Sequence, residues 1–132
     1  MNIEEAKNIL EEAHLAGARA LEACRPEPMI ATDGRQSWRI ADGACGFAWV
    51  TVECKGRGMQ LVNAMKKMGI ASADINCFDC RVEWKKAVYG KGYVYWVHAG
   101  NQSVELKEAY ANAMAGVLRE HNIPCMSQSR LD

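Results

Sequence analysis

The run Gly46-Phe-Ala-Trp-Val-Thr-Val-Glu53 constrains this chain more than any other stretch. Its aromatic and β-branched residues predict a strand, with Phe47, Trp49 and Thr51 on one face and Ala48, Val50 and Val52 on the other. The later elements fall into order behind it. Cys54-Lys55-Gly56-Arg57-Gly58 turns into a helix over about 58–68, with Leu61, Met65 and Met68 on one side and Gly69 as its stop. A loop through 70–79 leads to a hairpin of residues 81–89 and 93–98 about Gly90-Lys91-Gly92. A three-residue loop there sets Tyr89 opposite Tyr93, Ala87 opposite Tyr95 and Trp84 opposite His98. A last helix over about 103–121, capped by Ser103 or Asn101, carries Leu106, Tyr110, Ala113, Met114, Val117 and His121 on its inner side. Ile123 to Met126 read as a short final strand, and the polar tail from Ser127 to Asp132 is expected to fray.

Upstream, residues 2–24 predict a long helix. Ile3, Ala6, Leu10, Ala13, Gly17, Leu21 and Cys24 recur in steps of three and four, and Glu4, Glu5, Glu11 and Glu12 sit where the helix dipole favours negative charge. The seam is narrow and built of small residues, so the helix needs a partner surface in its own domain or in a neighbouring subunit. Residues 26–37 read as a loop, followed by a short strand at 37–41. A chain of 132 residues makes one domain of 1–132, with an acidic N-terminal helix (1–25) and a core (43–132). From about residue 46 the order is β-α-β-β-α-β, which predicts an α+β fold with an antiparallel sheet in the ferredoxin-like sequence of elements.

Charge narrows the partners. Lys+Arg and Asp+Glu are 16 each, which argues against a dedicated nucleic-acid polymer binder. The balance is uneven, at −4 over residues 1–34 and +4 over residues 35–132, so the later part is the better host for an anion. No apolar run approaches the roughly 20 residues that cross a bilayer, and the start lacks the pattern of a secretory signal, so a cytosolic, membrane-free protein is expected. Six cysteines are many, yet a disulfide framework belongs to another compartment. Cys77-Phe-Asp-Cys80 has the spacing of half a zinc site without a second half, so no metal and no cofactor is expected.

Phosphate-loop, nucleophile-elbow, zincin and deaminase motifs are all missing, and no catalytic residues are assigned. Three features suit a ligand instead. The turn of Lys55, Gly56, Arg57 and Gly58 before a helix suits an anion, although such turns are common structural devices. Gln102, beside the capping Ser103, has no duty of its own. Tyr89, Tyr93 and Tyr95 share one hairpin face, either as packing or as a stacking platform for a base. Arg130 in the tail has the fork geometry that suits a phosphate.

Cys45-Gly-Phe-Ala-Trp-Val50, Arg57-Gly58, Tyr89-Gly90, Asn101-Gln-Ser103 with Lys107-Glu-Ala-Tyr110, and Ser129-Arg-Leu-Asp132 together resemble, in their order, the first-described Thoeris anti-defence family of small phage-encoded proteins. The similarity runs from about residue 43 to the end. It implies a non-enzymatic sponge in the host bacterial cytoplasm. Such a sponge holds a cyclic ADP-ribose isomer, and in some members cyclic oligonucleotides, in pockets between the subunits of a homo-oligomer, from dimer to hexamer. Carried onto this chain, the resemblance implies Arg57 and Arg130 on phosphates, Tyr89 stacked on adenine, Asn101 and Gln102 on ribose or base edges, and Arg119 beside them. Lys91 departs from the tighter glycine turn expected after Tyr89. The rival expectations are a nucleotide-cleaving enzyme with His98 or His121 as base, a protein inhibitor that uses the acidic helix as a nucleic-acid mimic, and a single-stranded nucleic-acid binder, which the zero net charge favours least.

Overall fold

The computed structural model describes residues 1–25, 29–32, 37–40, 44–74, 77, 79–88, 90–100 and 102–132, with 29–32 and 37–40 described by backbone alone. In chain order the elements are α1 (Ile3–Ala23), β1 (Met29–Thr32), β2 (Ser37–Ile40), β3 (Gly46–Val52), α2 (Arg57–Met68), β4 (Ala71–Ser72), β5 (Trp84–Lys86), β6 (Tyr93–Trp96), α3 (Val104–Glu120) and β7 (Cys125–Leu131). The fold is α+β. Five strands form one sheet in the order β4-β5-β6-β3-β7, and β1 and β2 form a separate antiparallel pair. Within the larger sheet only β4 with β5 is parallel. β6 lies between β3 and β5, so the β3-α2-β5 unit is split, as the β-α-β-β-α-β order requires.

Burial along β3 alternates strictly. Ala48, Val50 and Val52 are fully buried against the helices, and Phe47, Trp49 and Thr51 are half-buried on the opposite face. Each buried valine side chain contributes about 1.5–3 kcal/mol relative to exposure, which fixes the face this strand turns inward. Ser127 and Ser129 of β7 bond Asn112 and Glu108 of α3, at 2.5 and 2.7 Å, so α3 covers the same inner face.

The small-residue seam of α1 finds its partner within the chain. Ala6, Ile9, Leu10, Ala13 and Gly17 are buried, and α1 packs chiefly on α3 and, less extensively, on α2. Asn2 caps the helix by accepting from the Glu5 N–H at 2.7 Å, and the Ser103 side chain caps α3 by accepting from the Leu106 N–H at 3.3 Å. Gly69 closes α2 in the left-handed conformation, as expected.

Five expectations need correction. Of the six residues expected on the inner side of the last helix only Tyr110 and Met114 are buried, and the buried stripe of α3 runs also through Val104, Lys107, Ala111, Ala115 and Leu118. The segment read as a loop over 26–37 contains β1, whose residue Thr32 pairs with Ser37 of β2. The loop expected over 70–79 contains β4, a two-residue strand held beside Trp84 and Lys85. The hairpin pairs Trp84 with Tyr95 and Lys86 with Tyr93, a register three residues from the expected one, because the connection widens to include the Ala87 N–H bonded to the Gly92 carbonyl at 2.9 Å. Burial of Trp84 decides this: it is wholly enclosed, and the shift of an odd number of residues turns it inward. Finally, the tail does not fray. β7 runs seven residues and pairs with β3 from Val52–Cys125 to Gly46–Leu131, because β3 would otherwise leave a full row of backbone groups unpaired.

Candidate functional site

The outer face of the sheet carries a cluster of aromatic and cationic side chains. The alternation of β3 presents Phe47 and Trp49 there, and Trp96 follows because it pairs with Trp49 across the β3–β6 ladder. The two indoles lie parallel, 2° apart in plane with centroids at 5.4 Å, and Phe47 leans on Trp96 at 5.3 Å. Such offset stacks contribute about 0.5–1.5 kcal/mol beyond area burial. Trp49 Nε1 donates to the Gln128 Oε1 at 3.0 Å, which ties the ring to β7.

Cations border the rings on both sides. The Arg130 guanidinium stands 5.5 Å from the centre of the Phe47 ring, and the Lys107 ammonium, on a buried side chain of α3, stands 5.3 Å from it. Across the sheet, Lys85 pairs with Val94 and so projects to the outer face beside Trp96. A groove of about 1060 Å³ runs over this surface, lined by Trp49, Trp96, Lys85, Lys91, Gln128 and Arg130 among others. The acid on its lining, among the described residues, is Glu83. Arg81 lies beside the groove but is taken: it forks onto Asp79 at 2.8 and 3.2 Å, and that contact holds the Asp79 carboxyl down at about 2.

The expected site residues divide between the two ends of β3. Arg57 and Arg119 come together at the Val52 end, around a shallow depression that also includes Lys55 and Pro124. Arg57 is largely occupied there. Its Nε donates to the His121 carbonyl at 2.7 Å, and its terminal nitrogen meets Glu5 at 3.1 Å. Arg119 donates to the Cys125 carbonyl at 3.3 Å. At the Gly46 end, Arg130 joins the outer face, and Gln102 is exposed with its side-chain oxygen 3.7 Å from the Cys45 thiol. Tyr89 and Asn101 lie outside the described residues. Six paired steps of β3, about 20 Å, part the two groups, so Arg57 and Arg130 do not meet on one small ligand within a subunit.

Two of the sequence signals have structural explanations. Gly58 admits the chain's own Glu53 carbonyl, since a Cβ there would lie 2.0 Å from that oxygen, so the glycine serves the turn into α2. Tyr93 and Tyr95 share a face, but it is the inner one. The Tyr95 ring meets His14 edge-on at 5.0 Å, its hydroxyl bonds that of Tyr110, and Tyr110 in turn meets His14 Nδ1 at 2.7 Å. Burial pushes both phenols up and pushes His14 down, with Glu83 opposing the His14 shift. His121 is paired with Glu12 at 2.8 Å, while His98 is exposed at the groove. No group of residues able to hold a metal ion occurs among the described residues. Sequence reasoning passed over Trp49 and Trp96 as ligand-facing residues; the alternation of β3 held that signal, but nothing local tells which face the helices leave open.

Compared with known proteins, the chain matches no family model, no curated protein and no solved structure. Among the described residues no helix is long and apolar enough to cross a membrane.

Proposed function

We propose that this protein binds an anionic nucleotide and holds it without cleaving it, as a phage anti-defence sponge acting in the host bacterial cytoplasm. The observation that carries the proposal is the stacked Trp49–Trp96 pair on the open sheet face, bordered by Arg130 and Lys85. Indole faces take nucleobases by stacking, at about 1–3 kcal/mol per base, and a guanidinium suits a phosphate. The order of short motifs shared with the Thoeris anti-defence family favours a cyclic ADP-ribose isomer, or a cyclic oligonucleotide, as the ligand. Sequestration needs affinity alone, and a Kd of tens of nanomolar corresponds to about −10 kcal/mol. In a homo-oligomer, from dimer to hexamer, the depression formed by Arg57 and Arg119 on one subunit would complete a pocket with the Arg130 end of another.

Isothermal calorimetry with cyclic ADP-ribose isomers and cyclic oligonucleotides tests this, followed by denaturation and mass spectrometry of the released ligand. Saturable heat, weakened in Trp96→Ala and Arg130→Ala, with the nucleotide recovered intact, is the expected result. A new product would convert the sponge into an enzyme, and no heat from any nucleotide would end the proposal.

A further inference from the structure

We infer that the open face accepts, beyond a single nucleotide, single-stranded nucleic acid that seats at least two consecutive bases. This rests on the nucleotide-binding reading of the same face. Three placements support it. The rings stand on adjacent central strands of the sheet, Phe47 and Trp49 on β3 and Trp96 on β6. An open sheet with aromatics on its strands is how RNA-recognition sheets stack two or three bases. Trp49 and Trp96 line the groove, whereas Phe47 packs against Trp96, Arg130 and Lys107.

The second placement is the spread of charge. Lys85 on β5 lies level with Met126 of β7, three strand spacings away, and Arg130 is four residues further along β7, so the two cations are about 20 Å apart. The phosphate of a mononucleotide reaches one margin, whereas the successive phosphates of a strand reach both. The even charge of the whole chain speaks to its total surface, while the groove carries Lys85, Lys86, Lys91 and Arg130 against Glu83 among its described residues. The third placement is a group for a base edge. Gln128 is exposed opposite Trp49 and two residues from Arg130 on β7, with its oxygen bonded to Trp49 and its NH₂ group able to donate. Duplexes present no unstacked base to these rings and are excluded by the same geometry.

The test uses the full chain and a labelled single-stranded oligoadenylate, followed by fluorescence anisotropy over a series of salt concentrations. AMP, a cyclic ADP-ribose isomer and an RNA duplex serve as competitors. The strand is expected to bind, AMP to compete at least about 10-fold more weakly, and the duplex not to compete. Trp96→Ala should weaken strand binding by about 10- to 100-fold. Arg130→Ala, on an exposed side chain, should make the log–log salt slope shallower by about 0.7. AMP binding as tightly as the strand, or an unchanged slope in Arg130→Ala, overturns the inference. Binding of the cyclic nucleotide without the strand overturns it and leaves the sponge standing. Silence from every nucleotide overturns both.

Discussion

Gly17 and Gly116 sit inside helices α1 and α3, and the same substitution at each should act in opposite directions. Replacing a helical glycine by alanine gains about 1 kcal/mol from backbone entropy where the methyl has room. At Gly116 a Cβ meets nothing within 4 Å, so Gly116→Ala should stabilise by about 0.5–1 kcal/mol. At Gly17 a Cβ would stand 2.8, 2.8 and 2.9 Å from three atoms of the Tyr110 ring. That ring cannot slide freely, because its hydroxyl is bonded to His14 at 2.7 Å. Overpacking costs about 1–3 kcal/mol and a strained hydrogen bond about 1 more. Set against the helical gain, Gly17→Ala should destabilise by about 1–3 kcal/mol. For 132 residues each kcal/mol moves the Tm by about 3–4 °C, so thermal unfolding should place Gly116→Ala above the wild type and Gly17→Ala below it by several degrees. Shifts of the same sign at both sites would refute the packing of α1 on α3 described above.

Two further outcomes follow from the same core. Burial lowers the pKa of His14 below 6.5, so the unfolded chain takes up its proton first as pH falls; stability should decline as pH drops below about 6.5, and His14→Gln should flatten that part of a denaturation-against-pH curve. A chain ending at Met126 loses the partners of Gly46, Phe47, Ala48, Trp49 and Val50, leaving most of β3 as an exposed edge; it should lose cooperative unfolding or aggregate, whereas removal of a merely frayed tail would leave the melting curve unchanged.

The sequence by itself determined those elements whose cause is local. The period of 46–52 fixed β3 and its two faces, the small-residue steps of 2–24 fixed α1 and the Ala6, Leu10, Ala13 and Gly17 part of its seam, and Ser103 and Gly69 marked where helices begin and end. The α+β class followed from their order. Tertiary structure alone decided what depends on partners distant in the chain. A polar tail became β7 because β3 offered it a ladder of backbone groups, and Trp84 set the hairpin register because its burial outweighed the preference for a tight glycine turn. The candidate site belongs to this second kind. Phe47 and Trp49 lie half-buried on the outer face because α3 covers the other face of the sheet, and Trp96 and Arg130 join them only through strand pairing, which brings together residues that no spacing along the chain connects.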